Sequence, residues 1–194
     1  KYLDISGPEG VPDGRITPDY DRTLLGGSLP RMLFGGNIRL GYKGLSLNLA
    51  FQGVGKQNSR IDPIMVTPLH TNWGSIPAIL DGAYWSYYST PEENQNARYP
   101  RLSRVQEATN LTMSDYWLFN GAYFRIKNLT LGYDLPSTFT DKIKMAGIHT
   151  FLSVSDFFTL TKYPKGWDPE TASAGSAIGY PITTQYLLGL AVKF

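Results

Sequence analysis

The 194-residue chain contains no cysteine. That absence excludes a disulfide framework, a thiolate metal site and a thiol nucleophile. It also has no apolar run near the roughly 18 residues that a membrane-crossing helix needs. A helical membrane protein is therefore excluded, but strands are not, because their apolar positions alternate. Charge of one sign is scarce. Eighteen Lys and Arg against 16 Asp and Glu leave a formal charge of +2, too small and too evenly spread for a nucleic-acid footprint. Lys1-Tyr2-Leu3-Asp4 shows no basic region followed by an apolar one, so no signal peptide is expected here. An exported protein of this sequence would have a gene that starts further upstream.

Aromatics, glycine and proline are plentiful: 13 Tyr, 9 Phe, 4 Trp, 20 Gly and 13 Pro, which points to many turns and few long helices. The last nine residues are the most informative. Tyr186, Leu188, Leu190, Val192 and Phe194 occupy every second position, so they form one apolar stripe along a strand. Leu187, Gly189, Ala191 and Lys193 lie opposite. Such a stripe suits a strand with lipid on one side and a polar lumen on the other; an ordinary core strand that ends the chain is the alternative. Ile38, Leu40 and Tyr42 alternate with Asn37, Arg39, Gly41 and Lys43. A tight turn at Lys43-Gly44 leads into Leu45, Leu47, Leu49 and Phe51, which alternate with Ser46, Asn48, Ala50 and Gln52.

Residues 1–31 read as a polar loop, 32–54 as a hairpin, 55–121 as a long loop and 122–194 as three further strands. Within the last part, Ser137 to Gly147 reads as a brief helical turn, capped by Ser137 and closed by Gly147. Thr161 to Tyr180 reads as a Gly/Pro/Asp loop. The long loop 55–121 lacks strict alternation, and its short elements cannot be placed from sequence. Five strands with alternating short and long connections match outer-membrane barrels, whose periplasmic turns are short and extracellular loops long. An odd strand count puts the start outside the cell and Phe194 in the periplasm. Five strands cannot close a membrane barrel, so the chain is expected to be part of something larger.

Several motifs then occur in order. Upstream stand Asp13-Gly14-Arg15-Ile16-Thr17, Asp21-Arg22-Thr23, Leu29-Pro30 and Phe34-Gly35-Gly36. Ser114-Asp115-Tyr116-Trp117 and Asn120-Gly121 precede Tyr123-Phe124-Arg125-Ile126-Lys127-Asn128-Leu129-Thr130-Leu131-Gly132-Tyr133-Asp134-Leu135-Pro136. Asp156-Phe157-Phe158-Thr159-Leu160-Thr161-Lys162-Tyr163 and Gly166-Trp167-Asp168-Pro169-Glu170 follow. Together they resemble the end of SusC/RagA-type TonB-dependent transporters, from about residue 10 onward, with the long loop as a gap. The terminal stripe likewise resembles the signal by which bacterial outer-membrane barrels are recognised for assembly. The resemblance implies the C-terminal part of a 22-stranded barrel in the outer membrane of a Bacteroidota-type bacterium. It implies a plug domain and a TonB-contacting segment outside this chain, energised through TonB, ExbB and ExbD, and a SusD-like surface lipoprotein acting as a lid. The cargo it implies is oligosaccharides or, in some cases, peptides. No cofactor is implied.

No catalytic constellation is found, and the chain is expected not to be an enzyme. A hydrolase would need an acid and a base in reach of one bond, and no such pair is identifiable. His70 and His149 lack metal-ligand spacing; His149 reads as a lumen or interface residue. Asn-Leu-Thr sequons at Asn110 and Asn128 carry little weight, since the second lies within a strand. Asp13, Asp19 and Asp21 are similar to a calcium loop, but they are out of register and Tyr20 stands at the last ligand position. A turn held by Asp side chains is the favoured reading. The aromatics Trp73, Tyr84, Trp85, Tyr87 and Tyr88, with Trp167 and Asp168, are the candidate contacts to substrate or lid. An aromatic face suits the apolar face of a sugar ring, while packing among loops is the alternative; Asp168-Pro169-Glu170 reads as a loop brace in preference to a ligand contact. The competing function is a secreted soluble β-sandwich that binds glycans. A sandwich would cover Leu45, Leu47, Leu49 and Phe51 with a second sheet, whereas a barrel gives them to lipid.

Overall fold

A computed structural model describes residues 2–60, 78, 81–102, 112, 114–172 and 182–194. Five long strands form one antiparallel sheet: β1 (Met32–Tyr42), β2 (Leu45–Gly55), β5 (Tyr123–Asp134), β6 (Gly147–Thr161) and β7 (Gln185–Lys193), ordered β1-β2-β5-β6-β7. A second, two-stranded sheet pairs β3 (Asn58–Arg60) with β4 (Leu118–Asn120). These two three-residue strands lie inside the stretch read from sequence as loop 55–121. They are too short to carry an alternation signal. A helix, α1 (Pro91–Asn96), lies in the same stretch.

The β1–β2 turn follows from two residues. Lys43 (φ 46°) and Gly44 (φ 83°) both take positive φ, the pattern of the type I′ turn whose twist matches that of flanking strands. That turn sets Tyr42 opposite Leu45 and fixes the register of the hairpin. The β5–β6 connection departs from the sequence reading. Its helical turn α2 (Ser137–Thr140) starts at Ser137 itself, after Pro136 in extended conformation, and no side chain caps it. A 3-10 turn over Asp141–Ile143 follows and ends at Lys144, in the left-handed region at φ 55°. Gly147 does not close the turn but opens β6. Pro136 lacks an N–H and its fixed φ suits the position before the first turn.

Register turns the alternation of each strand into rows across the sheet. Leu40, Leu47, Leu131, Leu152 and Leu188 are successive cross-strand partners. The next row on this face is Ile38, Leu49, Leu129, Val154 and Tyr186. The row between them, on the opposite face, is Arg39, Asn48, Thr130, Ser153 and Leu187. Leu40, Leu131, Leu152 and Leu188 are 44–78% exposed, so nothing among the described residues covers the leucine row. No second sheet lies over Leu45, which is 57% exposed, as a β-sandwich requires.

At one end of the apolar face, phenylalanines replace leucines. Phe124 stacks beside Phe34 at 6.5 Å and tilts against Phe51 at 5.7 Å between ring centroids. Close approach is possible because Gly53 lies beneath Phe34; a Cβ there would meet the ring at 2.1 Å. The ladder is interrupted once. Lys127 is an extra residue of β5 against the Ala50–Phe51 step of β2, and β6 sets Asp156 and Phe157 opposite it. This bulge twists the sheet locally and leaves Asp156 at φ 52°.

The buried core lies in the connections at the sheet end away from the short turns. Tyr99, Trp117 and Tyr163 pack together, with Ala83, Tyr84, Leu102, Phe119 and Trp167 against them. Trp117 is 1% exposed. The buried Ser59 hydroxyl donates to the Tyr163 hydroxyl at 3.3 Å, and Arg98 covers the Tyr116 ring at 4.4 Å from its centroid. The segment before β1 joins this layer through its carbonyls: the Gln57 and Asn58 side-chain amides donate to the Ser28 and Leu25 carbonyls at 2.9 and 2.7 Å.

Two expectations follow from this architecture. Gly44→Val forces a β-branched side chain into a left-handed position and toward the Asp134 carbonyl, 2.9 Å from the built Cβ. The cost is about 1–2 kcal/mol, read as a lower midpoint in denaturant titration of strand content; an unchanged midpoint would contradict it. Burial, the main influence on both groups, pushes the Tyr99 and Tyr163 hydroxyls above the usual tyrosine range. The fold favours their neutral forms, so this stabilisation is complete below the ordinary tyrosine pKa. It is lost as pH rises through the raised values. Near-ultraviolet tyrosinate titration is expected to resolve a late-ionising group, and one unshifted transition for all tyrosines would exclude it.

Candidate functional site

Two arrangements hold the candidate residues: an aromatic tip and a buried ionic cluster on the polar face. The tip spans Trp85 to Tyr88 and is held by its own short-range chemistry. The Trp85 N–H donates to the Tyr99 carbonyl at 2.9 Å. Asn94 brackets the turn, accepting from the Ser86 N–H at 2.8 Å and donating to the Ser86 carbonyl at 2.8 Å. Helix α1 begins with a capping box: the Glu93 N–H donates to the Thr90 hydroxyl and the Thr90 N–H to the Glu93 carboxylate. On this support Tyr87 is 87% and Tyr88 99% exposed, while Trp85 meets Tyr87 edge-on at 6.1 Å.

The candidate aromatics thus divide. Trp85, Tyr87 and Tyr88 face outward. Tyr84 and Trp167 are half-buried against the Tyr99–Trp117–Tyr163 cluster. Trp73 lies outside the described residues, as do His70 and Asn110. Of the terminal stripe, Tyr186, Leu188, Leu190 and Phe194 are widely exposed on the apolar side of β7, with Val192 less so.

Asp168 sits in the ionic cluster on the polar face. The Arg125 guanidinium, 4% exposed, donates from one nitrogen to both Asp168 oxygens at 2.8 and 2.9 Å. Its other nitrogens donate to Glu170 and to the Thr159 hydroxyl. Lys127 meets Asp156 at 2.6 Å and Glu170 at 3.4 Å. The Gln52 amide donates to Glu170 at 2.9 Å and to the Tyr123 hydroxyl at 3.3 Å. Asp168 also accepts from the Glu170 N–H at 2.9 Å, so it starts the one-turn helix α3 (Pro169–Ala172) while neutralising Arg125. Sequence reasoning identified the Asp168–Glu170 segment but not its partner. The available signal was the pair Arg125 and Lys127, charges inside an otherwise apolar and hydroxyl-bearing strand.

The aspartates of the first connection hold backbone. Asp21 accepts from the N–H groups of Thr17, Ile5 and Ser6 at 2.6, 2.8 and 3.3 Å. These bonds, that from Thr17 foremost, hold its carboxyl below the usual carboxylate range. Asp13 accepts from the Arg15 N–H at 2.9 Å, and Asp19 is exposed. Among the described residues no group of three or more potential ligands is placed to hold a metal ion. The Asp13 and Asp21 oxygens thus serve as turn acceptors, as the favoured sequence reading has them. His149 pairs with Asp134 at 2.7 Å on the polar face.

No protein-family model matches the chain. TonB-dependent receptor P3 of Formosa agariphila is 30% identical over 207 residues, covering 100% of this chain and 19% of that receptor. TonB-dependent receptor SusC of Bacteroides thetaiotaomicron is 39% identical over 83 residues, 42% of this chain and 8% of SusC. In fold, the chain is similar to a structure of the RagAB peptide transporter, with TM-score 0.65 and 24% identity over 98% of this chain and 20% of that one. A structure of the RagAB peptide importer in the 'closed-closed' state gives TM-score 0.64 at 22% identity, over 97% of this chain and 20% of that one. The chain spans about a fifth of the length of the full-coverage relatives. These relatives are receptors and transporters rather than enzymes. The leucine-rowed antiparallel sheet and the sequence relationship together make this chain a segment of a SusC/RagA-type TonB-dependent receptor.

Proposed function

We propose that the chain is the C-terminal part of a 22-stranded outer-membrane barrel that imports oligosaccharides or peptides by TonB-dependent transport. The observation that carries this reading is the sheet itself. One face is an uncovered field of leucine, isoleucine and phenylalanine, the other a field of Asn, Thr, Ser and paired charges, and both edges await further strands. That is the wall of a membrane barrel, with lipid outside and water inside. The soluble β-sandwich is disfavoured by the same uncovered face. In this reading residues 1–31, 55–121 and most of 162–184 lie outside the cell, and the Lys43-Gly44 and Pro136–Gly147 turns and Phe194 lie in the periplasm. The stripe Tyr186 to Phe194 serves as the assembly signal.

The rest of the machine lies outside this chain. A plug, the remaining barrel strands and a TonB-contacting segment belong to the same protein, with TonB, ExbB and ExbD supplying energy. A SusD-like lipoprotein closes over the extracellular layer, where Trp85, Tyr87 and Tyr88 meet lid or substrate. RagAB is a peptide importer, which keeps peptides beside oligosaccharides as cargo. No cofactor, metal or nucleic acid takes part.

Two measurements test this. Ile38→Arg, on the apolar face near the middle of β1, is expected to destabilise the protein in lipid by about 2–4 kcal/mol, and Asn37→Arg in the same strand by far less. Equal effects in vesicle denaturant titrations would remove lipid from the leucine face. Tyr87→Ala/Tyr88→Ala is expected to leave the amount of folded receptor unchanged. It should cut uptake about fivefold or more, the loss of one interface anchor. Uptake at the wild-type level across a panel of glycans and peptides would take the tip out of the transport path.

A further inference from the structure

We propose that the Arg125 clamp is a latch: it holds residues 162–172 as a strap across the polar face of the sheet, and its loss frees the strap while the sheet stays intact. The proposal does not depend on what the two faces of the sheet contact. Its first support is the division of partners. The sheet side supplies Gln52, Tyr123, Arg125 and Thr159, paired in the ladder on three adjacent strands, with Lys127 and Asp156 from the bulge between them. The strap side supplies Asp168 and Glu170, and both converge on the one guanidinium.

A second support is that the strap cannot hold this position alone. Helix α3 is a single turn, and isolated helices so short do not persist in water. Apolar burial anchors the strap at Tyr163, at half-buried Trp167 and at Pro169, the first residue of the helix. Beyond Trp167, Asp168 and Glu170 meet the sheet through polar and ionic contacts. The sheet also gives up regular pairing at this point. The bulge at Lys127, with Asp156 in the left-handed region, brings a second cation and a third anion to the same spot. Bulges commonly re-aim side chains in this way.

Removing Arg125 takes the bidentate cation from Asp168 and the nearer of two cations from Glu170, which keeps Lys127 and Gln52. Two partly buried carboxylates thus lose their shared counter-charge, and the strap is driven toward water. Gln52, which Glu170 contacts, also lines a cleft of about 400 Å³ with Tyr123, Leu33 and Val54 among others. Gln52 and Tyr123 are bonded to each other, and Gln52 to Glu170.

Trypsin reads the latch directly, because Lys162 and Lys165 are exposed yet cleavage needs the surrounding chain to detach. The full-length protein is digested in detergent, cut sites are mapped by mass spectrometry, and strand content is followed by circular dichroism. Wild type is expected to resist cleavage after Lys162 and Lys165. Arg125→Met is expected to raise cleavage there at least tenfold with strand content unchanged, and Arg125→Lys to restore part of the protection. Asp168→Asn/Glu170→Gln alters the strap alone, leaves every strand residue in place, and is expected to give the same release. Cleavage at the wild-type rate in that variant would overturn the latch and assign the strap's position to Tyr163 and Trp167. Loss of strand content in both variants would also overturn it, making the clamp a support of the sheet.

Discussion

Antiparallel pairing with a side-chain period of two is the constraint on which everything else in this chain rests. A slip of one residue at any of the four strand interfaces would move a leucine row onto the face of Asn48, Thr130 and Ser153. Register is held locally at one interface by the Lys43-Gly44 turn, which allows no extra residue. Elsewhere it is held by consistency, since each strand must match two neighbours at once. The leucine row shows that consistency most plainly. Its members come from positions 40, 47, 131, 152 and 188, and no local sequence rule would align them.

The same ladder yields at a single region, and that is where the charges gather. Regular alternation cannot place Arg125, Lys127 and Asp156 on one spot of one face together with a loop. The extra residue at Lys127 can. The result is a wall whose polar side is mostly self-contained. Asn128, Thr130, Ser153 and Ser155 hydrogen-bond among themselves, so this part of the polar face carries mutually satisfied groups. The ionic cluster differs in kind. It joins the wall to a connection and, through Trp167, to the aromatic core above the sheet.

All five long strands were legible in the sequence because each alternates over many residues. The turn at Lys43-Gly44 was legible because glycine tolerates its backbone. What was not legible has physical reasons. Strands β3 and β4 are three residues long and exist through pairing across some sixty positions. The end of the Ser137 turn is set by Lys144 in a conformation that sequence rarely assigns to lysine. The aromatic candidates shared one composition signal, yet Tyr84 and Trp167 are packed while Tyr87 and Tyr88 stand free. That division depends on the Tyr99–Trp117–Tyr163 contact, which unites distant parts of the chain. Arg125 was hidden for a similar reason: its partners lie 43 and 45 positions away.

The two outer strands of the sheet carry a further implication. Among the described residues neither β1 nor β7 has a second neighbour, so each presents a row of backbone donors and acceptors with an oily flank beside it. Left bare, such rims recruit one another and polymerise. A protein carrying this segment must therefore keep it from meeting copies of itself until both rims are sealed. The interval between synthesis and sealing is the period when chaperoning matters most.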